Sequence, residues 1–258
     1  MEFQPILANA LTFAFEKATV EGKITISALV VVSMISWSVM ITKGRQILKA
    51  RSMNRRFFAA YRENKDPLQL VRAKQEFPGS PAYEVYAAGC QELGYHLENN
   101  AVEVKGRKRV SLESFQSVQV ALERGVSQEA LSLEKGMIVL TTAVSGGPFI
   151  GLLGTVWGVM ETFSGIAKAA SASLTAMAPG VAGALIATVV GLFVAIPAMF
   201  AYNMMITAIR GLTQELDNFN SEIATDFEHQ YVDNRALADE IADALRSLEE
   251  EKRGKAVA

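Results

Sequence analysis

The stretch MIVLTTAVSGGPFIGLLGTVWGVM, Met137 to Met160, runs for 24 residues without a charge, long enough to cross a bilayer as a helix. Upstream, Ile24 to Thr42 are nineteen uncharged residues, which at about 1.5 Å of rise per residue nearly match a hydrocarbon core of about 30 Å. Downstream, Ala169 to Ile209 are 41 uncharged residues, too many for one crossing and suited to a short loop followed by a third helix. The expected layout is an N-terminal segment over 1–23, spans over 24–42, 137–163 and 179–209, a helical region over 43–136, a loop over 164–178 and a helical tail over 210–258. A cleaved signal peptide is the rival reading of the first span. Against it, about twenty residues including Glu2, Glu16 and Glu21 precede the apolar run, and no small-residue cleavage site follows.

Half of the 258 residues are hydrophobic and 20% are charged, and the apolar residues are clustered, as a bilayer requires. The formal charge of -2 hides an asymmetry, because Lys43 to Lys65 holds eight cations while the C-terminal tail is mostly acidic. No charge argument for nucleic acid survives. The single cysteine, Cys90, excludes an intrachain disulfide, and His96 and His229 have no metal-ligand spacing, so no metal site is expected.

Lys43, Arg45, Lys49, Arg51, Arg55, Arg56 and Arg62 crowd one end of the first span, whereas the second loop has only Lys168. The positive-inside rule then places residues 43–136 and the tail in the cytoplasm and the N-terminus and second loop outside. The plain alternative for the basic run is a solvated helix face. Its cations can also meet anionic lipid headgroups, at about 1 kcal/mol each.

The cytoplasmic parts read as helical, broken at Asp66-Pro67 and at Phe77-Pro-Gly-Ser-Pro81. Leu112, Phe115, Leu122, Val126 and Leu133 recur at helical spacing on a helix expected to run straight into the second span, and Leu212, Leu216, Phe219, Ile223 and Phe227 do the same in the tail. Both stripes read as packing faces. The fold class is therefore all-α, a polytopic membrane protein with three transmembrane helices whose second and third helices extend into the cytoplasm.

Steps of three or four along the second span collect Gly147, Gly151, Thr155, Gly158 and Thr162 on one face; the third gives Gly180, Ala184, Thr188, Gly191 and Ala195. In lipid, close helix approach relies on such small side chains and on hydroxyls that bond across. The competing reading of the threonines is that each bonds a carbonyl of its own helix. Pro148 and Pro197 shape the two spans, and Pro179 sits in the first turn of the third, where its missing N–H costs nothing. No span has an Asp, Glu, Lys, Arg or His at its middle, Glu161 lying at the outer end of the second. A proton relay through this chain therefore needs a partner to carry the titratable group. No Ser/His/Asp set, phosphate loop or acidic metal cluster points to an enzyme, and no cofactor is expected.

Gly147-Gly-Pro-Phe-Ile-Gly-Leu-Leu-Gly-Thr-Val-Trp-Gly-Val-Met-Glu-Thr-Phe163 and Ala178-Pro-Gly-Val-Ala-Gly-Ala-Leu-Ile-Ala-Thr-Val-Val-Gly-Leu-Phe-Val-Ala-Ile-Pro-Ala-Met-Phe-Ala-Tyr-Asn203 resemble the second and third spans of the ExbB and TolQ branch of the MotA/TolQ/ExbB proton-channel family. The resemblance implies a homopentamer in the inner membrane whose lumen, lined by second and third spans, surrounds ExbD- or TolR-like single-span partners, each carrying a membrane aspartate. It places Thr155 and Thr188 opposite that aspartate, implies H+ as the translocated ion, and implies coupling of the proton motive force to transport or another envelope process through a TonB- or TolA-like protein. Gly183 stands where the family usually has a glutamate, which counts against a specific iron-siderophore or Tol assignment. A static membrane scaffold, and a sodium-coupled or gliding-type motor of the same family, are the alternatives.

Overall fold

The structure, a computed structural model, describes residues 20–104, 106–169 and 174–233. Most of the expected N-terminal segment, the centre of the expected loop and the tail beyond Asp233 lie outside the described residues. The elements run α1 (Val20–Glu63), α2 (Gln69–Arg72), α3 (Pro81–Asn99), β1 (Val102–Val104), β2 (Arg107–Arg109), α4 (Leu112–Glu134), α5 (Met137–Ala169) and α6 (Leu174–Tyr231). They fall into two compact units, one drawn from Met1–Lys49 and Leu131–Gly211, the other from Ala50–Ala130 and Leu212–Ala258.

In the first unit the helices are apolar all round. Val20–Glu63, Leu112–Ala167 and Gly180–Tyr231 are each long and apolar enough to cross a membrane. Phe149, Leu152, Val156, Met160, Leu185, Phe193 and Phe200 all stand exposed, a surface that water would penalise and lipid tails would not. At 58 residues α6 is about 87 Å long, far more than the bilayer core needs.

The expectation that α4 runs straight into the second span needs correcting. Gly136, at φ +88°, interrupts the path between α4 and α5. A left-handed residue after a helix end is most often glycine, because it carries no Cβ to clash. The Lys43 ammonium lies against this end, donating to the carbonyls of Ser132 (3.2 Å) and Leu133 (3.1 Å) and to Gln46 Oε1 (2.8 Å). Two of its N–H groups thus satisfy carbonyls that the helix terminus leaves open, and the third bonds the Gln46 side chain on α1.

The loop expected over 164–178 is also shorter than the sequence suggests. α5 continues to Ala169 and α6 begins at Leu174, so the described parts of that stretch are helical. Pro179 is consequently the sixth residue of α6 and outside its first turn. Its ring nitrogen cannot donate to the carbonyl four residues back, yet the helix runs unbroken through Pro179 and Pro197, as α5 does through Pro148.

The second unit is built around an aromatic core. Phe57 sits 5.4 Å from Phe219, 5.5 Å from Phe77 and 5.4 Å from Tyr86, measured between ring centroids, distances favourable for edge-on and tilted contacts. The tail stripe Leu212, Leu216, Phe219, Ile223 and Phe227 is buried throughout, and Phe115, Val118, Leu122 and Val126 of α4 are buried with it. Leu112 departs from its expected stripe: it opens α4 and is 56% exposed.

The two breaker clusters turn out to be capped turns. At the first, the Leu68 N–H donates to Asp66 Oδ1 at 2.9 Å, an Asx turn. At the second, Gly79 takes φ +88°, Ser80 Oγ accepts from the Tyr83 N–H at 3.2 Å and Pro81 opens α3, a standard N-terminal cap. Asn54, fully buried on α1, fixes this cap by accepting from Ser80 Oγ (2.8 Å) and the Ala82 N–H (3.1 Å).

A short antiparallel hairpin was not expected from the sequence. Val102 pairs with Arg109 and Val104 with Arg107, around Gly106 at φ +73°. Beyond it, Val110 bridges Val232, with Val110 N–H donating to Tyr231 O (2.8 Å) and Asp233 N–H to Val110 O (3.0 Å).

Candidate ion pathway in the second and third spans

Glycine lets α5 and α6 approach until their backbones touch, and each glycine of the seam has a defined counterpart. A Cβ added to Gly147 would lie 3.0 Å from the Gly191 carbonyl oxygen and 3.4 Å from Ala195 Cβ. On Gly151 it would lie 2.9 Å from both the Ala187 oxygen and Thr188 Cα; on Gly158, 2.7 Å from Ala184 Cβ; on Gly191, 2.6 Å from the Gly147 oxygen. Gly180 faces Thr162, whose hydroxyl donates to Gly158 O at 2.8 Å. The small faces of the two spans therefore close on each other within one chain, and Gly147, Gly151, Gly158, Ala184, Gly191 and Ala195 are all buried there.

Two residues of this seam escaped the sequence reading. A Cβ on Gly154 would meet Ala187 Cβ at 2.6 Å and Thr25 Oγ1 of α1 at 3.0 Å, so the first span joins the same packing. The fully buried Ala187 is the other. The signal is present in the spacing, since steps of three and four also join Gly151 to Gly154 to Gly158 and Ala184 to Ala187 to Gly191, but the face collected from the sequence passes through Thr155 and Thr188 at those turns instead.

The threonines behave differently from one another. Half-buried Thr155 donates its hydroxyl to Leu152 O, three residues back, at 2.7 Å. Thr188, whose backbone abuts Gly151 one turn from Thr155, has a buried Oγ1 with no hydrogen-bond partner among the described residues. Most intramembrane threonines satisfy their own helix, and a buried hydroxyl without a partner carries a free-energy cost. Such a group keeps a donor and an acceptor in reserve. Ser36, in the first span and 2% exposed, also has an Oγ without a partner among the described residues. Ser36 is not among the residues singled out from the sequence, where small faces are sought only on the second and third spans. Gly183 is buried in α6, and Glu161 is exposed near the end of the second span.

The arrangement is a helix pair sealed by backbone contact, with the buried Thr188 hydroxyl unengaged among the described residues and no ionisable side chain at mid-span. The Thr188 hydroxyl is left with its hydrogen-bonding capacity unused, and the mid-span residues supply no charge.

Comparison with known proteins covers most of the chain. Residues 83–218 match the family described as the MotA/TolQ/ExbB proton channel family. The chain is 34% identical over 224 residues to the Tol-Pal system protein TolQ of Haemophilus influenzae, covering 84% of this chain and 92% of that protein. It is 31% identical over 220 residues to the biopolymer transport protein ExbB of Pseudomonas putida, covering 84% of this chain and 64% of that one. To TolQ of Pseudomonas aeruginosa it is 32% identical over 188 residues, covering 72% and 78%.

Proposed function

The chain belongs to the MotA/TolQ/ExbB proton channel family, and from that premise we propose that it is the ring-forming subunit of a proton-driven motor in the inner membrane. The observation that carries the reading is the Thr188 hydroxyl, buried and unengaged on a helix whose middle carries no charge. A subunit that conducts protons without a carrier of its own needs a partner to bring one. An ExbD- or TolR-like helix with a membrane aspartate answers that need, and the family resemblance puts Thr155 and Thr188 opposite that aspartate.

In this reading several copies, five by the family resemblance, surround the partner helices. A proton from the periplasmic side neutralises the partner aspartate, the helix slips past the apolar wall, and the proton leaves toward the cytoplasm. Each charge crossing gains about 2.3 kcal/mol per 100 mV, enough to drive steps against thermal motion. The output is biopolymer transport or a Tol-Pal-type envelope process, delivered through a TonB- or TolA-like protein. The basic run after the first span faces the cytoplasmic leaflet, with the N-terminus periplasmic and the C-terminus cytoplasmic. The chain itself is assigned no catalytic chemistry and no cofactor.

Proton uptake into vesicles holding this chain with its partner tests the reading. Thr188→Val should lower flux by roughly tenfold or more, the scale of a lost hydrogen bond to a charged group. Thr155→Val should lower it less, since that hydroxyl already bonds Leu152. Unchanged flux in the double variant would remove both threonines from the pathway. Absence of flux in the unaltered complex would favour a static scaffold, and sodium-dependent flux at fixed pH would identify sodium as the coupling ion.

A further inference from the structure

Between α1 and α5 the first unit carries an apolar groove of about 270 Å³, walled by Val32 and Ile35 on one side and by Ile138, Val139, Thr142 and Ala143 on the other. Its one side-chain hydroxyl, Thr142, already donates to Ile138 O at 2.8 Å, so the walls make no polar demand on a guest. Ile35 and Val32 lie eight and eleven residues before Lys43, about 12 and 16 Å along α1. A groove at that depth on two membrane-spanning helices is bathed by acyl chains and not by water.

The end of the groove nearest the charged run is cationic. Lys43 donates to Gln46 Oε1 and to the carbonyls of Ser132 and Leu133, and its Cε lies 3.7 Å from where a Cβ on Gly136 would stand. This brings Gln46 of α1 to the level of Lys135, the neighbour of Gly136. Lys135 is exposed and is separated from Ile138 by at most about 10 Å of chain. From Lys43 to Arg62 α1 has seven cations and no carboxylate, and Lys135 forms no ion pair among the described residues, even with the adjoining Glu134. The Gln46 carboxamide gives its oxygen to Lys43 and keeps its N–H groups for an acceptor. Gln46 also shares the Ile35 face of α1, whereas Arg45 is turned about 80° away from it.

We propose that this groove binds one acyl chain of an anionic phospholipid, whose phosphate bonds the Lys135 ammonium and the Gln46 amide. Because one molecule carries both the chain and the charge, this is a bound lipid, distinct from the diffuse attraction of a basic run to a charged leaflet. It forms a wedge between the first and second spans, whatever ion the assembly conducts.

The test is native mass spectrometry of the full chain, delipidated in mild detergent and then offered phosphatidylglycerol or phosphatidylcholine of the same acyl length. Phosphatidylglycerol should be retained about fivefold more, the scale of one cation near a charged headgroup, and Lys135→Gln should erase that preference. Thr142→Phe, which fills the groove from an exposed position, should lower retention of both lipids, and Arg45→Gln should leave the preference in place. Four results would overturn the proposal: equal retention of the two lipids by the unaltered chain, equal losses in Arg45→Gln and Lys135→Gln, which would reduce the effect to diffuse attraction, undiminished retention in Thr142→Phe, or no lipid retained on the assembled oligomer, which would assign the groove to a neighbouring copy.

Discussion

Gly151→Ala places one methyl group where two backbones already meet. Its Cβ would lie 2.9 Å from the Ala187 carbonyl oxygen and 2.9 Å from Thr188 Cα, whereas carbon contacts settle at about 3.5–4.0 Å. Both obstacles are main chain and cannot rotate away, so α5 and α6 must part by about half an ångström or more. Overpacking of this kind costs about 1–3 kcal/mol. Alanine returns about 1 kcal/mol of helix propensity over glycine, leaving a net loss of about 0–2 kcal/mol. Gly146→Ala is the control, because nothing lies within 4 Å of its added Cβ and only the propensity gain applies. Unfolding of the two variants in the same detergent or nanodisc should separate them by about 1–3 kcal/mol. Equal stability of Gly151→Ala and Gly146→Ala would refute backbone contact at the seam.

Two further expectations concern the second unit. Asn54→Ala strips the acceptor from Ser80 Oγ and the Ala82 N–H and should destabilise that unit by about 1–3 kcal/mol, with hydrogen exchange rising first over residues 78–84; a change within about 0.5 kcal/mol would mark the contact as dispensable. Burial pushes the Cys90 thiol up to about 12, so its alkylation should be slower than in the unfolded chain by about a thousandfold at pH 8. The rate should climb about tenfold per pH unit well past pH 9; a plateau between pH 8 and 9 would place the thiol in a wetter setting.

The sequence exposes most readily what repeats. Nineteen and 24 uncharged residues in a row can be read as spans without any partner in view, and the tail stripe from Leu212 to Phe227 needs only helical spacing. Features that depend on one residue meeting another were less legible. Gly136 is a local stop signal inside an otherwise helical pattern, but the contact of Lys43 with the end of α4 joins residues far apart in sequence and leaves no trace in local spacing. The hairpin around Gly106 spans only two three-residue strands, too short for alternation to stand out. At the candidate site, hydroxyl spacing brought Thr155 and Thr188 forward together. Only geometry separates them, one bonded to its own helix and the other not.

Apolar helices in lipid can slide along one another at little cost, since one ring of methyl groups serves as well as the next. The Lys43 ammonium removes that freedom. A shift of α1 by a single residue, about 1.5 Å, would strain or break its bonds to Ser132 and Leu133 together, and a buried ammonium left with Gln46 alone is costlier than a displaced methyl group. The end of the first span is thereby keyed to one depth against the start of the second. A load applied along α1 passes to its neighbours through that key as a push or pull, with no slack taken up by sliding.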